Sequence, residues 1–125
     1  QVFTTYRSNI YNNENLSRKL LGGIKFTYPT GTKPLDETIG NKFIDDFVQN
    51  YGKPPNHNAL RGYDVFLDAI LRFAVSRDIR KSIDLGETQY KSNRFLYTKN
   101  ENESFINIST YILQHKEYEI YEIKE

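Results

Sequence analysis

The chain has 125 residues, with 17 Lys and Arg against 16 Asp and Glu, ten Tyr and eight Phe, and no Cys, Met or Trp. That length suits one domain, or one section of a larger one, with a core that needs no covalent staples. A net charge of +1 argues against a nucleic-acid module, and the absence of Cys removes disulfides, thiolate zinc sites and cysteine nucleophiles. No apolar run reaches the roughly 18 residues that span a membrane, and no N-terminal stretch reads as a signal peptide.

Gln1-Val2-Phe3 opens the sequence without Met, and Val2 to Tyr6 is rich in β-branched and aromatic residues, which predicts a strand. Such an opening suggests the closing section of a longer protein. Asn12, Asn13 and Asn15 form a polar break before a short helix whose Leu16, Leu20 and Leu21 share one face. Gly22-Gly23 is expected to stop it by accepting a left-handed backbone. Ile24 to Tyr28 reads as a second strand, closed by Pro29.

After a loop over 30–34, Asp36 is the expected cap of an amphipathic helix running to Tyr51. Its Ile39, Phe43, Phe47 and Tyr51 recur every four residues, with Ile44 and Val48 beside them. Gly52 and Pro54-Pro55 end it. Asn56 then caps a longer helix, 56–74, whose Ala59, Leu60, Tyr63, Phe66, Leu67, Ile70, Leu71 and Ala74 form a wide apolar stripe. A stripe of that width predicts a helix buried or packed on a sheet. Gly62 within it costs about 1 kcal/mol relative to Ala, a cost that close approach to a neighbouring backbone would explain.

The final third changes character. A short helix is expected within 76–85, then a loop at Gly86, a strand over 95–98 and a turn over 99–104. Phe105 to Leu113 alternates with apolar groups on both sides, which predicts one strand covered on both faces. Tyr118 to Ile123 breaks strict alternation at Ile120-Tyr121, as at a bulge or a change of partner. This order predicts an α/β fold, a Rossmann-like layered sheet with flanking helices and an antiparallel strand tail.

Chemistry-bearing patterns are few. His57 and His115 have no metal-ligand partner at a recognised spacing, and both read as surface residues. Asp64, Asp68 and Arg72 stand four apart on one helix face. Paired carboxylates can carry acid–base work, but Asp68 placed before Arg72 already makes a favourable surface pair. Arg72, Arg77, Arg80 and Lys81 form a basic cluster interrupted by Asp78 and Asp84, which reads as a solvated face. Asn15, Asn102 and Asn107 open glycan-acceptor triplets of the kind polar sequences produce by chance. No nucleophile elbow, phosphate loop or dinucleotide fingerprint occurs, so no catalytic residue, metal or cofactor is expected. Tyr6, beside Thr5 at a strand end, has the position at which α/β sheets gather ligands.

At the helix pair the sequence becomes recognisable. Phe43-Ile44-x-x-Phe47-Val48-x-x-Tyr51-Gly52-x-Pro54-Pro55-Asn56, followed by Ala59-x-x-Gly62-Tyr63-Asp64 and an apolar helix, resembles the C-terminal part of type 1 periplasmic-binding-protein-like domains. This is the branched-chain amino-acid receptor family of ABC transporters. Gly23-Ile24-Lys25-Phe26-Thr27-Tyr28-Pro29 resembles the strand before that pair. Phe95-Leu96-Tyr97 and Phe105-Ile106-Asn107 are similar to the closing strands of a branch that often carries LysM repeats. The resemblance covers nearly the whole chain.

It implies that residues 1–125 are one domain or the C-terminal segment of a larger two-lobed solute-binding domain, non-enzymatic and periplasmic or otherwise associated with the cell envelope. The implied partner is a small polar solute, amino acid or peptide-like, or a cell-wall fragment. Thr5 and Tyr6 after the first strand, and Asn58 and Arg61 at the start of the long helix, would lie near the ligand cleft. Tyr63 and Asp64 would pack and frame the helix. The alternative is an envelope interaction or scaffold domain that keeps the fold without small-molecule binding, and a cut piece of this kind can also pair with another copy.

Overall fold

A computed structural model describes residues 1–6, 16–35 and 41–124. They form a mixed α/β protein in two compact units: residues 1–33 with 110–125, and residues 34–109.

The first unit is a four-stranded mixed sheet in the order β1 (Val2–Phe3), β2 (Phe26–Thr30), β7 (Tyr111–Lys116), β8 (Glu119–Glu122). β1 runs parallel to β2, and the other pairs are antiparallel. A parallel neighbour needs a crossover, and α1 (Arg18–Gly23) lies in the connection between these two strands. Leu21 of α1 meets Phe26, Tyr28, Tyr111 and Leu113 in the core, with Leu16 and Ile120 at its margin.

Alternation along β7 buries Tyr111, Leu113 and His115 and exposes Ile112 and Lys116. His115 is therefore a core residue, 4% exposed, and not the surface residue expected. Its ring lies 6.0 Å from Phe26 and 5.8 Å from Tyr28. His57 is exposed, as read from the sequence.

Gly22 and Gly23 belong to α1, and neither has a left-handed backbone; the positive φ falls on Lys25. Gly22 is required for another reason. A Cβ there would stand 2.1 Å from the Glu117 carbonyl oxygen, so only glycine admits the β7–β8 turn. Pro29 lies inside β2 rather than closing it.

The second unit contains α2 (Lys42–Tyr51), α3 (His57–Ser76), a 3₁₀ helix (Ile79–Leu85) and two small hairpins. One pairs β3 (Thr88–Gln89) with β4 (Arg94–Phe95), the other β5 (Tyr97–Lys99) with β6 (Phe105–Asn107). The local stop signals act as expected: Gly52 is left-handed at the end of α2, and the Asn56 side chain accepts the Ala59 N–H at 2.9 Å. The expected cap Asp36 and the asparagines 12, 13 and 15 lie outside the described residues. The strand predicted over 105–113 is two, β6 and β7, which belong to different units. α2 meets α3 through Phe43, whose ring lies 4.6 Å from that of Tyr63, while Phe47 and Tyr51 stack along α2 itself at 4.5 Å.

The decisive departure is α3. The only charged residues between 62 and 76 are Asp64, Asp68 and Arg72, and all three are buried, at 2% exposure or less. The apolar side faces outward instead, with Phe66 67%, Phe73 55% and Ile70 47% exposed. The expectation of a surface ion pair and a buried apolar stripe is inverted over 62–76, Leu60 alone of the stripe being buried, because the segment 82–97 supplies hydrogen bonds that no apolar face could use.

Candidate functional site

The densest set of polar groups in the second unit gathers on the inward stripe of α3. Spacing by four brings Asp64, Asp68 and Arg72 onto adjacent turns. Asp64 lies opposite the loop joining β3 and β4. Its carboxylate accepts the backbone N–H groups of Lys91 (3.2 Å), Ser92 (2.9 Å) and Asn93 (2.9 Å), and the Asn93 side-chain amide at 2.9 Å. The turn is closed by the Tyr90 N–H donating to the Asn93 carbonyl at 2.9 Å. Four donors on one carboxylate meet the requirement that a buried charge be fully hydrogen-bonded.

One turn on, Arg72 Nε donates to both oxygens of Asp68 at 3.0 Å. Asp68 also accepts the Thr88 hydroxyl (2.7 Å) and the Tyr90 phenol (3.0 Å). The rest of the Arg72 fork reaches the Ser82 carbonyl at 2.7 Å, the Thr88 hydroxyl at 3.1 Å and the carbonyls of Gly86 and Phe95 at 3.3 and 3.4 Å. Its guanidinium carbon lies 4.9 Å from the centre of the Tyr97 ring. One arginine thereby joins α3, the 3₁₀ helix and both strands of the first hairpin.

These surroundings hold the phenols protonated. Burial pushes Tyr97 up to about 12, with the Asp68 carboxylate adding to the rise. Burial also raises Tyr90. Each polar atom of Asp64, Asp68 and Arg72 named above has a partner within the chain. The geometry is that of a clasp fastening 82–97 to α3. Arg72 accordingly leaves the expected basic face, while Arg77, Arg80 and Lys81 remain exposed; Arg80 pairs with Asp78 at 3.1 Å.

The residues expected near a ligand are on the surface. Thr5 and Tyr6 are exposed beyond β1, where the Thr4 hydroxyl donates to the Tyr6 carbonyl at 2.7 Å. Asn58 and Arg61 are exposed in the first turns of α3. Thr5 and Tyr6 belong to the sheet unit, Asn58 and Arg61 to the helical unit. A depression of about 380 Å³ lined by Ser17, Lys19, Leu20, Gly23 and Ile24 contains none of the four. Asn107, which opens a glycan-acceptor triplet, uses its side chain to accept from the Leu96 and Ser109 N–H groups and to donate to the Arg94 carbonyl.

Among the described residues no cluster of His, Cys, Asp or Glu has metal-site geometry, and no helix is long and apolar enough to cross a membrane. The clasp was missed by sequence reasoning although a signal for it exists. Three charges confined to one face of an otherwise apolar helix mark a polar stripe that the fold can use. Comparison with protein-family models, curated proteins and solved structures finds no match for this chain.

Proposed function

We propose that this chain works by holding another molecule and not by transforming one. It is the closing section of a two-lobed, type 1 periplasmic-binding-protein-like domain of the cell envelope, with a Rossmann-like layered fold. It takes a small polar solute of amino-acid or peptide-like character. The observation that carries the reading is the state of the inward stripe of α3: its carboxylates, guanidinium and phenols are bound to the chain itself, so what the chain offers a partner is surface. The family resemblance supplies the ligand class; Thr5 and Tyr6 offer exposed hydroxyl and aromatic groups in the sheet unit, and Asn58 and Arg61 offer exposed amide and guanidinium groups in the helical unit.

The test is a thermal titration of the full-length protein against amino acids and muropeptides. A ligand at a hundred times its dissociation constant adds about 2.7 kcal/mol of stability, and Tyr6→Ala or Arg61→Ala should reduce the shift. A flat response across a broad panel counts against solute binding.

A second reading, an interaction or scaffold domain, is favoured by one specific feature. α3 turns Val65, Phe66, Ile70 and Phe73 outward, each at least 44% exposed, and a contiguous apolar patch of that kind marks a surface that another polypeptide covers.

A further inference from the structure

We propose that the outward stripe of α3 is a self-pairing surface on which a second copy of this chain docks, the two helices antiparallel. The proposal rests on the interaction reading and names its partner. Gly62, Val65, Phe66, Ala69, Ile70 and Phe73 follow the i, i+3, i+4, i+7, i+8, i+11 spacing of a packed face. Along its midline the residues are Gly62, Phe66, Ala69 and Phe73, spaced 4, 3 and 4 apart as in a two-helix seam. Small and large alternate. Laid antiparallel about a two-fold axis between residues 67 and 68, the stripe sets each Phe73 against the partner's Gly62 and each Phe66 against the partner's Ala69. A two-fold interface must complement itself, and this stripe does so at all four positions.

Gly62 supplies the independent observation. Glycine is the poorest helix former after proline, yet Gly62 sits in the body of α3 with an ordinary helical backbone. A methyl group placed there would meet nothing within 4 Å in this chain. The chain itself gives no reason for the missing side chain, whereas an incoming Phe73 ring gives one. Between residues 62 and 76 no charge opposes the contact, because Asp64, Asp68 and Arg72 are all buried. The two phenylalanines with Val65 and Ile70 present roughly 400 Å² per copy at their exposures, so burial in a pair falls below the roughly 1,200 Å² of stable complexes. The dimer is therefore expected to be weak and reversible.

Sedimentation equilibrium of the 125-residue chain over about 5 to 500 µM tests this. The expected result is a monomer–dimer equilibrium that Gly62→Leu weakens at least tenfold while helix content holds or rises, since the site is open in the monomer. Ala69→Phe should weaken it similarly, and Phe66→Ala combined with Ala69→Phe should restore it by exchanging the large and small positions. A monomer throughout the range, or a dimer indifferent to both single substitutions, overturns the proposal. A monomer that binds an apolar dye, with binding abolished by Phe66→Glu and Phe73→Glu together, rejects the second copy while leaving α3 as a docking surface. A monomer with no dye binding rejects both.

Discussion

The two units of this chain hold themselves together by opposite means. The sheet unit follows the usual division, with Leu21, Phe26, Tyr28, Tyr111 and Leu113 inside. The helical unit places a carboxylate, an ion pair and a hydrogen-bonded loop where the sheet unit places hydrocarbon. The contrast teaches that the inner face of a helix is chosen by what the rest of the chain can offer it. The segment 82–97 brings backbone N–H and C=O groups that need partners, and the charged stripe of α3 satisfies them. A polar core of this kind is strong only when complete, because removing one member leaves the others buried and unpaired.

That asymmetry sets the order of expected effects. Arg72→Ala should be the most damaging single change, costing about 3–5 kcal/mol because it strands a buried carboxylate; chemical denaturation monitored by circular dichroism measures it. The corresponding cavity substitution in the sheet unit, Leu113→Ala, should cost about 2–5 kcal/mol. Gly22→Ala tests the sheet unit's tightest contact and should cost about 1–3 kcal/mol by forcing the β7–β8 turn aside, with a lowered melting midpoint as the readout. An effect near zero there would mean that the turn does not press on α1.

The smallest effect concerns alkaline pH. An unfolded tyrosine ionises near pH 10, while Tyr97 in the fold is pushed up to about 12. Its contribution is therefore complete below pH 10 and is lost as pH rises toward 12. Tyr97→Phe should flatten that part of the stability profile, read from melting midpoints across the window.

Much of the fold was legible because its signals are local. Asn56 and Gly52 act within one helical turn of where they stand, and the buried Phe26 and Tyr28 of β2 sit on the expected strand. The orientation of α3 was not legible from periodicity alone. Asp68 and Arg72 at a spacing of four look like a solvent-facing pair until Thr88, Tyr90 and the Phe95 carbonyl arrive from 20 or more residues away. His115 has a simpler reason: the expected strand ends at Leu113, whereas β7 runs on to Lys116 and carries His115 onto the face that Tyr111 and Leu113 share. The glycines divide in the same way. Gly22 answers to a backbone 95 residues further on, which no local rule reveals, whereas Gly52 answers to its own helix end.

The most direct test of the polar core is amide hydrogen exchange at Lys91, Ser92 and Asn93. These residues occupy a short loop, where an unattached backbone exchanges almost freely. If Asp64 clasps them as described, all three amides should be protected at least about a hundredfold, close to the level of α3 itself. Exchange at free-loop rates, with α3 still protected, would contradict it.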